Sequence, residues 1–280
     1  MKIDKKSFIE QVVKESSKKK ILTREALDLL IDFFTGDYPK EEYPKVIKDP
    51  KSLALEFYKK YNENYYDMLI NGLNNGSIII EDSLLKSYVD TATAQAHIKL
   101  NGNDNDLFIL VHEYAHYIDR NMFPPIVPDT YWFFAETYAF YLEKQLELYL
   151  GKEYPEYHNL IVARRNNRMH YESKMVDALA TELHYEDLYR KKQNLSAEDI
   201  YESDMNRVAR YNFTIEIVNC LSQYPVANII SSRLLANNLV KDEHEFVDAC
   251  LSIDLISILS GTENKKEIKP TIKETTKKIN

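Results

Sequence analysis

Two histidines four residues apart, with a glutamate beside the first, carry the most chemistry in this chain. His112-Glu113-Tyr114-Ala115-His116 follows the apolar run Leu107-Phe-Ile-Leu-Val111. Residues four apart share one face of an α-helix, so both imidazoles can reach a single ion. Neutral imidazole nitrogens suit Zn²⁺ at ~2.0–2.1 Å, and Glu113 projects beside them toward an activated water. The apolar run delivers the pair to the interior, a setting that a chance match would not require.

Two histidines need a third protein ligand. The helical pattern from Tyr131 to Glu143 offers Glu136, twenty residues after His116. The intervening loop contains Pro124, Pro125 and Pro128, which end one helix and let a second begin. Glu136 lies among Trp132, Phe133, Phe134, Tyr138 and Phe140, where a carboxylate is costly to bury without a cation or donors. Glu143 is seven residues further on the same face, placed to hydrogen-bond a ligand histidine. Asp119, three after His116, reads equally as a second such carboxylate or as a charge at a helix end.

The rest of the chain must position these residues. With 280 residues it can build one large core or two modest ones. A net charge of −8 argues against nucleic acid as a partner. Cys220 and Cys250 form no C-x-x-C and lie far from the histidines, so a reduced compartment is expected. The first residues carry charge but no apolar core of a signal peptide, and no run approaches the ~20 residues that span a bilayer. These features predict a cytoplasmic protein with no membrane partner. Six glycines among many Leu, Ile, Glu, Lys and Tyr predict a mainly helical fold.

In order, residues 1–20 read as a basic amphipathic helix. Thr23 then caps a helix over Arg24–Thr35 that closes at Gly36. Residues 37–50 form a loop, and 51–73 carry a tyrosine-rich stripe at helical spacing. Strands are predicted at Ser77–Glu81 and Ala94–Leu100. The second directly precedes the histidine helix, so its edge, at Ala96, His97 and Ile98, is predicted to bind an extended peptide substrate. His97 is an extra candidate ligand, although a structural role is the simpler one. Further helices are expected over Pro155–Leu188, where Arg164, Arg165 and Arg168 read as a solvated face. Others follow over Ala197–Arg210 and Phe213–Gln223. Pro225 is expected to interrupt before Val226–Val240, and Glu243–Leu259 is the last helix, capped by Gly261. Residues 1–85 thus form an N-terminal helical region, and 86–261 a catalytic region packed with it as one unit. Residues 262–280 form a Lys-rich tail expected to be disordered.

Three blocks resemble a known family. They are Ala96-His-Ile-Lys-Leu-Asn101, Asp106-Leu-Phe-Ile-Leu-Val-His-Glu-Tyr-Ala-His116 and Phe134-Ala-Glu-Thr-Tyr-Ala-Phe-Tyr-Leu-Glu143. Together they are similar to successive segments of the oligoendopeptidase F and thimet oligopeptidase family, zinc peptidases of the gluzincin type. The resemblance implies a zincin-like core, mainly α with a small β-sheet at the active site. It implies His112, His116 and Glu136 as zinc ligands, Glu113 as general base and Glu143 as the glutamate supporting a ligand. A fainter similarity at Ser222-Gln-Tyr-Pro-Val-Ala227 implies that Tyr224 helps stabilise the tetrahedral intermediate. The chain departs from the family at Ala115, where Gly is usual, and at Asp119, where His is usual. It is also much shorter than a typical member.

The expectation is a zinc-dependent endopeptidase acting on a peptide or protein substrate, with Tyr224 or Tyr211 as oxyanion donor. Two alternatives stay open: a non-catalytic zinc-binding module, and a protease dedicated to one protein. The oligomeric state is not legible from the sequence.

Overall fold

The computed structural model describes residues 23–36, 38–81, 84–90, 93, 95–122, 130–193, 205–236 and 254–261, with backbone alone for 130–134, 182–193 and 205–220. The expected helix at 1–20 and the tail at 262–280 lie outside the described residues. The described chain is mainly helical with one three-stranded sheet.

Helix α1 (Arg24–Phe33) begins at Thr23, whose hydroxyl accepts from the Ala26 N–H, and buries Ala26, Leu27 and Leu30. The tyrosine-rich stripe forms two helices, not the single one its spacing predicts: α2 (Pro50–Tyr61) and α3 (Glu63–Asn75). Asn62 makes the break, with φ −157° and ψ 112°. Its N–H donates to the Tyr58 carbonyl to end α2, and its side chain accepts from Asn64 N to start α3. Aromatic spacing runs on through Tyr61 and Tyr65, so periodicity alone does not reveal the corner. Gly76, at φ 77°, supplies the left-handed residue that closes α3.

Strands β1 (Ile78–Ile80), β2 (Tyr88–Val89) and β3 (Ala96–Ile98) lie in the order β1-β3-β2. β3 is parallel to β1, with Ile79 opposite His97, and antiparallel to β2, with Tyr88 opposite His97. This corrects the expectation of an open edge at Ala96, His97 and Ile98. Residues 84–90 fold back and take β3's second side, so β3 is central and β2 is the outer strand. β2 is only two residues long, too short to leave a hydrophobic alternation in the sequence. The sheet also joins a strand before residue 86 to two after it.

The turn after β3 aims the next helix. Asp106 accepts from the N–H groups of Asn101, Gly102 and Asn103 at 2.7, 2.8 and 3.2 Å, and Gly102 turns at φ 72°. Asp104 meanwhile accepts from Val46 and Ile47, tying the turn to the segment ahead of α2. Helix α4 (Asp106–Met122) is then buried along Leu107, Phe108, Leu110, Val111, Tyr114 and Ile118. It packs on α2 and on α5 (Thr130–Glu153).

A 3₁₀ turn at Pro155–Tyr157 leads into α6 (His158–Gln193). Helix α7 (Met205–Ala236) packs along α5 and α6, and α8 (Leu255–Ser260) along α1, ending at Gly261 with φ 67°. The expected interruption at Pro225 is absent: α7 continues through it. Proline there forfeits the bond to the Leu221 carbonyl. The helix persists because Val226, Ala227, Ile230 and Leu234 bury its following turns. One continuous apolar cluster runs from Ala26 to Ile258. Among the described residues no helix is long and apolar enough to cross a membrane.

Candidate metal centre

Helices α4 and α5 bring three side chains to one point. His112 and His116, one turn apart on α4, place their Nε2 atoms 3.0 Å apart. Glu136, from α5, sets Oε2 3.2 Å from His112 Nε2 and Oε1 3.6 Å from His116 Nε2. One ligand atom from each residue lies within 4.8 Å of the others. Glu136 is only 4% exposed, and its Oε2 is buried without a hydrogen bond. A buried carboxylate oxygen with no donor, flanked by two imidazole nitrogens, is a donor set suited to a cation of zinc's type. The residues present therefore fit the metal that their spacing implies.

The surroundings fix how these groups face. His112 Nδ1 lies 2.8 Å from Glu143 Oε1, so Nδ1–H donates and Nε2 is left toward Glu136, where a proton or a cation can sit. Glu143 is fully buried, and its other oxygen accepts from Arg164 Nε at 3.2 Å, from Arg164 Nη2 at 2.7 Å and from Arg168 Nη2. Burial alone would raise the Glu143 carboxyl. The two guanidiniums and His112 outweigh it and hold the group well below the usual glutamate range. Burial likewise opposes the charge on Glu136, yet His116 and His112 keep that carboxyl low.

Glu113 sits next to His112 in the chain and is half-buried. Burial pushes its carboxyl above the ordinary glutamate range, against the pull of His112, His116 and the Ser87 hydroxyl. The Ser87 hydroxyl oxygen also accepts from the Lys99 N–H at 3.0 Å, which ties it to the residue just past β3. The outer strand β2 thus begins beside the one carboxylate of the site that holds neither imidazole.

The other sequence candidates fall in several places. Asp119 is buried on α4, not exposed at a helix end. Tyr224 packs edge-on to Phe140 with ring centroids 6.1 Å apart, and the Phe140 ring lies 5.3 Å from that of His112. Ala96 and Ile98 are fully buried, so their side chains point into the core. His97 stacks on Tyr88 at 4.6 Å and meets Gln95 Oε1 at 3.1 Å. The side chain of Tyr211 lies outside the described residues.

Arg164, Arg165 and Arg168 are not the solvated face that their charge suggested. Arg168 is 7% exposed, Arg164 reaches Glu143, and Arg165 Nε pairs with Glu147 at 2.8 Å. Sequence reasoning missed Arg164, Arg168 and Ser87 as parts of the site. The available signal for the arginines was Glu143 itself: a carboxylate on an apolar helix face needs a cation from elsewhere. No protein-family model, curated protein or solved structure matches this chain.

Proposed function

We propose that this chain is a zinc-dependent peptidase that hydrolyses internal peptide bonds, with a zincin-like arrangement of α4, α5 and the small sheet. The observation that carries this reading is the convergence of His112, His116 and Glu136 with Glu113 beside them but outside the ligand set. His112, His116 and Glu136 would hold the ion. Zinc, when bound, supplies Lewis acidity that polarises the scissile carbonyl and lowers the pKa of the attacking water.

The chain's own residues do the rest. Glu113 takes the proton from the attacking water and returns it to the leaving amine. A carboxyl raised by burial is better matched to both halves of that cycle than a solvated glutamate. The Ser87 hydroxyl, just before the outer strand, favours the charged form of Glu113. An extended substrate would add to that strand's outer edge through backbone hydrogen bonds, beside the base. Tyr224, edge-on to the Phe140 ring that packs on His112, is the candidate oxyanion donor of the described residues.

The test is a mixed peptide library incubated with the full chain, read by mass spectrometry, before and after chelation and after zinc is restored. Cleavage that chelation removes and zinc restores supports the peptidase. Stoichiometric zinc with no cleavage of any peptide favours a metal-binding module.

A further inference from the structure

We infer that Arg164 and Arg168 are positioning residues for the metal centre, acting through Glu143 to set the orientation of His112. The inference rests on the zinc reading of the site, and its geometry is a three-layer relay. His112 Nδ1 meets Glu143 Oε1, while Glu143 Oε2 collects both guanidiniums.

The division of labour between the two carboxylate oxygens is the central point. Three N–H groups converge on Oε2, so that oxygen is committed to α6. Oε1 is left for the imidazole of α4 alone. A fully buried carboxylate held by His112 only could rotate about its terminal torsion and exchange oxygens. Fixed by two cations, it presents one oxygen at one angle, and the imidazole plane follows.

The arginines are themselves anchored. Arg164 Nη1 donates to Asn105 Oδ1 at 3.1 Å, in the turn that opens α4, and its guanidinium lies 5.4 Å from the Phe108 ring centre. The Arg168 guanidinium covers Phe140 at 4.3 Å, the same ring that packs edge-on to His112. These contacts hold both guanidiniums in place beside Glu143. Planar guanidinium geometry matters here, because an ammonium cannot both stack and donate along two fixed directions.

The experiment measures Zn²⁺ affinity by competition with a chromophoric chelator, using the full chain and the variants Arg168→Gln, Arg164→Gln, Arg168→Lys and Glu143→Gln. The Co²⁺-loaded visible spectrum reports the geometry at the ion. Removing partners that orient a ligand typically costs about 10–100-fold in metal affinity. Arg168→Gln and Arg164→Gln are expected in that range, with Arg168→Lys partly restored and the Co²⁺ spectrum altered. In a Glu143→Gln background the same arginine changes are expected to cost less than about 2-fold, because their route to His112 is gone. Equal affinity in folded Arg164→Gln and wild type would overturn the inference. So would an undiminished loss in the Glu143→Gln background, which would assign the arginines to general packing. Wild type that takes up no zinc would overturn the metal reading itself, and this inference with it.

Discussion

His112 Nδ1 lies 2.8 Å from Glu143 Oε1, while the Nε2 of the same ring lies 3.2 Å from Glu136. One imidazole is therefore held between two carboxylates. Burial pulls its protonated form down, but the carboxylates of Glu136 and Glu143 on either side outweigh that, raising it to about 10 in the metal-free protein. Below about pH 6.5 the ring is protonated in folded and unfolded chains alike, and its stabilisation is fully present. That stabilisation is lost as pH rises through the folded value. Metal-free protein should thus lose melting temperature between pH 6.5 and about 10, and His112→Asn should flatten the decline. On the proposed zinc binding, the ion would compete with that proton, so zinc affinity should rise over the same interval. Thermal melts of chelated wild type and variant check this; superimposable pH profiles would count against it.

Proline substitutions separate the central strand from the outer one. Asp90 N–H donates to the Gln95 carbonyl, and antiparallel pairs alternate, so Val89 turns its N–H and C=O away from β3. Val89→Pro should spare the ladder and the zinc while raising KM for peptides. Ile98→Pro should instead disrupt the sheet, since Ile98 pairs with Ile80 in the parallel ladder, its carbonyl accepts from Glu81 on the β1 side, and proline there removes the N–H that turns the same way. Zinc content, circular dichroism and KM distinguish the two; unchanged KM in a folded Val89→Pro protein would remove β2 as the docking edge.

Gly72 reports how closely α3 lies against the metal helix. A Cβ there would meet Tyr117 Oη at 2.6 Å, Tyr117 Cζ at 2.8 Å and Ile78 Cδ1 at 2.9 Å. Alanine gains about 1 kcal/mol of helix propensity, whereas overpacking costs about 1–3 kcal/mol. Gly72→Ala should therefore lower the melting temperature by a few degrees. A higher melting temperature would show that Tyr117 and Ile78 yield freely.

What the sequence revealed and what it hid follow from the range of the interactions. His112, His116, Glu136 and Glu143 were legible because ligand spacing and the cost of burying carboxylates are local signals on single helices. The strand at Ile78–Ile80 and the left-handed glycines at 76 and 261 were legible for the same reason. Arg164 and Arg168 were not, because their counterion sits on another helix, 21 and 25 residues earlier in the chain. The outer strand was hidden by its length, and its absence from the reading turned β3 into a false edge. Asn62 and Pro225 misled in opposite senses. An aromatic stripe masked a real break at Asn62, while burial of the following turns carried a helix through Pro225.

The two ligand types should fail differently. His112→Ala or His116→Ala should abolish stoichiometric zinc after dialysis. Glu136→Gln should weaken zinc binding and recover part of any turnover when Zn²⁺ is added, because the carbonyl of Gln remains a poor ligand at the same place. Full zinc retention in either histidine variant would show that the ligands are assigned wrongly.

The most direct test pairs zinc content with turnover in Glu113→Gln. Glu113 stands beside His112 and outside the converging set, so on the proposed zinc binding its loss should leave the ion in place. Glutamine preserves size and most hydrogen bonding but removes the base, and proton transfer by a placed side chain is worth about 10²–10⁴-fold. The account predicts near-stoichiometric zinc, an unchanged melting temperature and a kcat at least about 10²-fold below wild type on one cleavable peptide. Comparable turnover by wild type and zinc-loaded Glu113→Gln would contradict it.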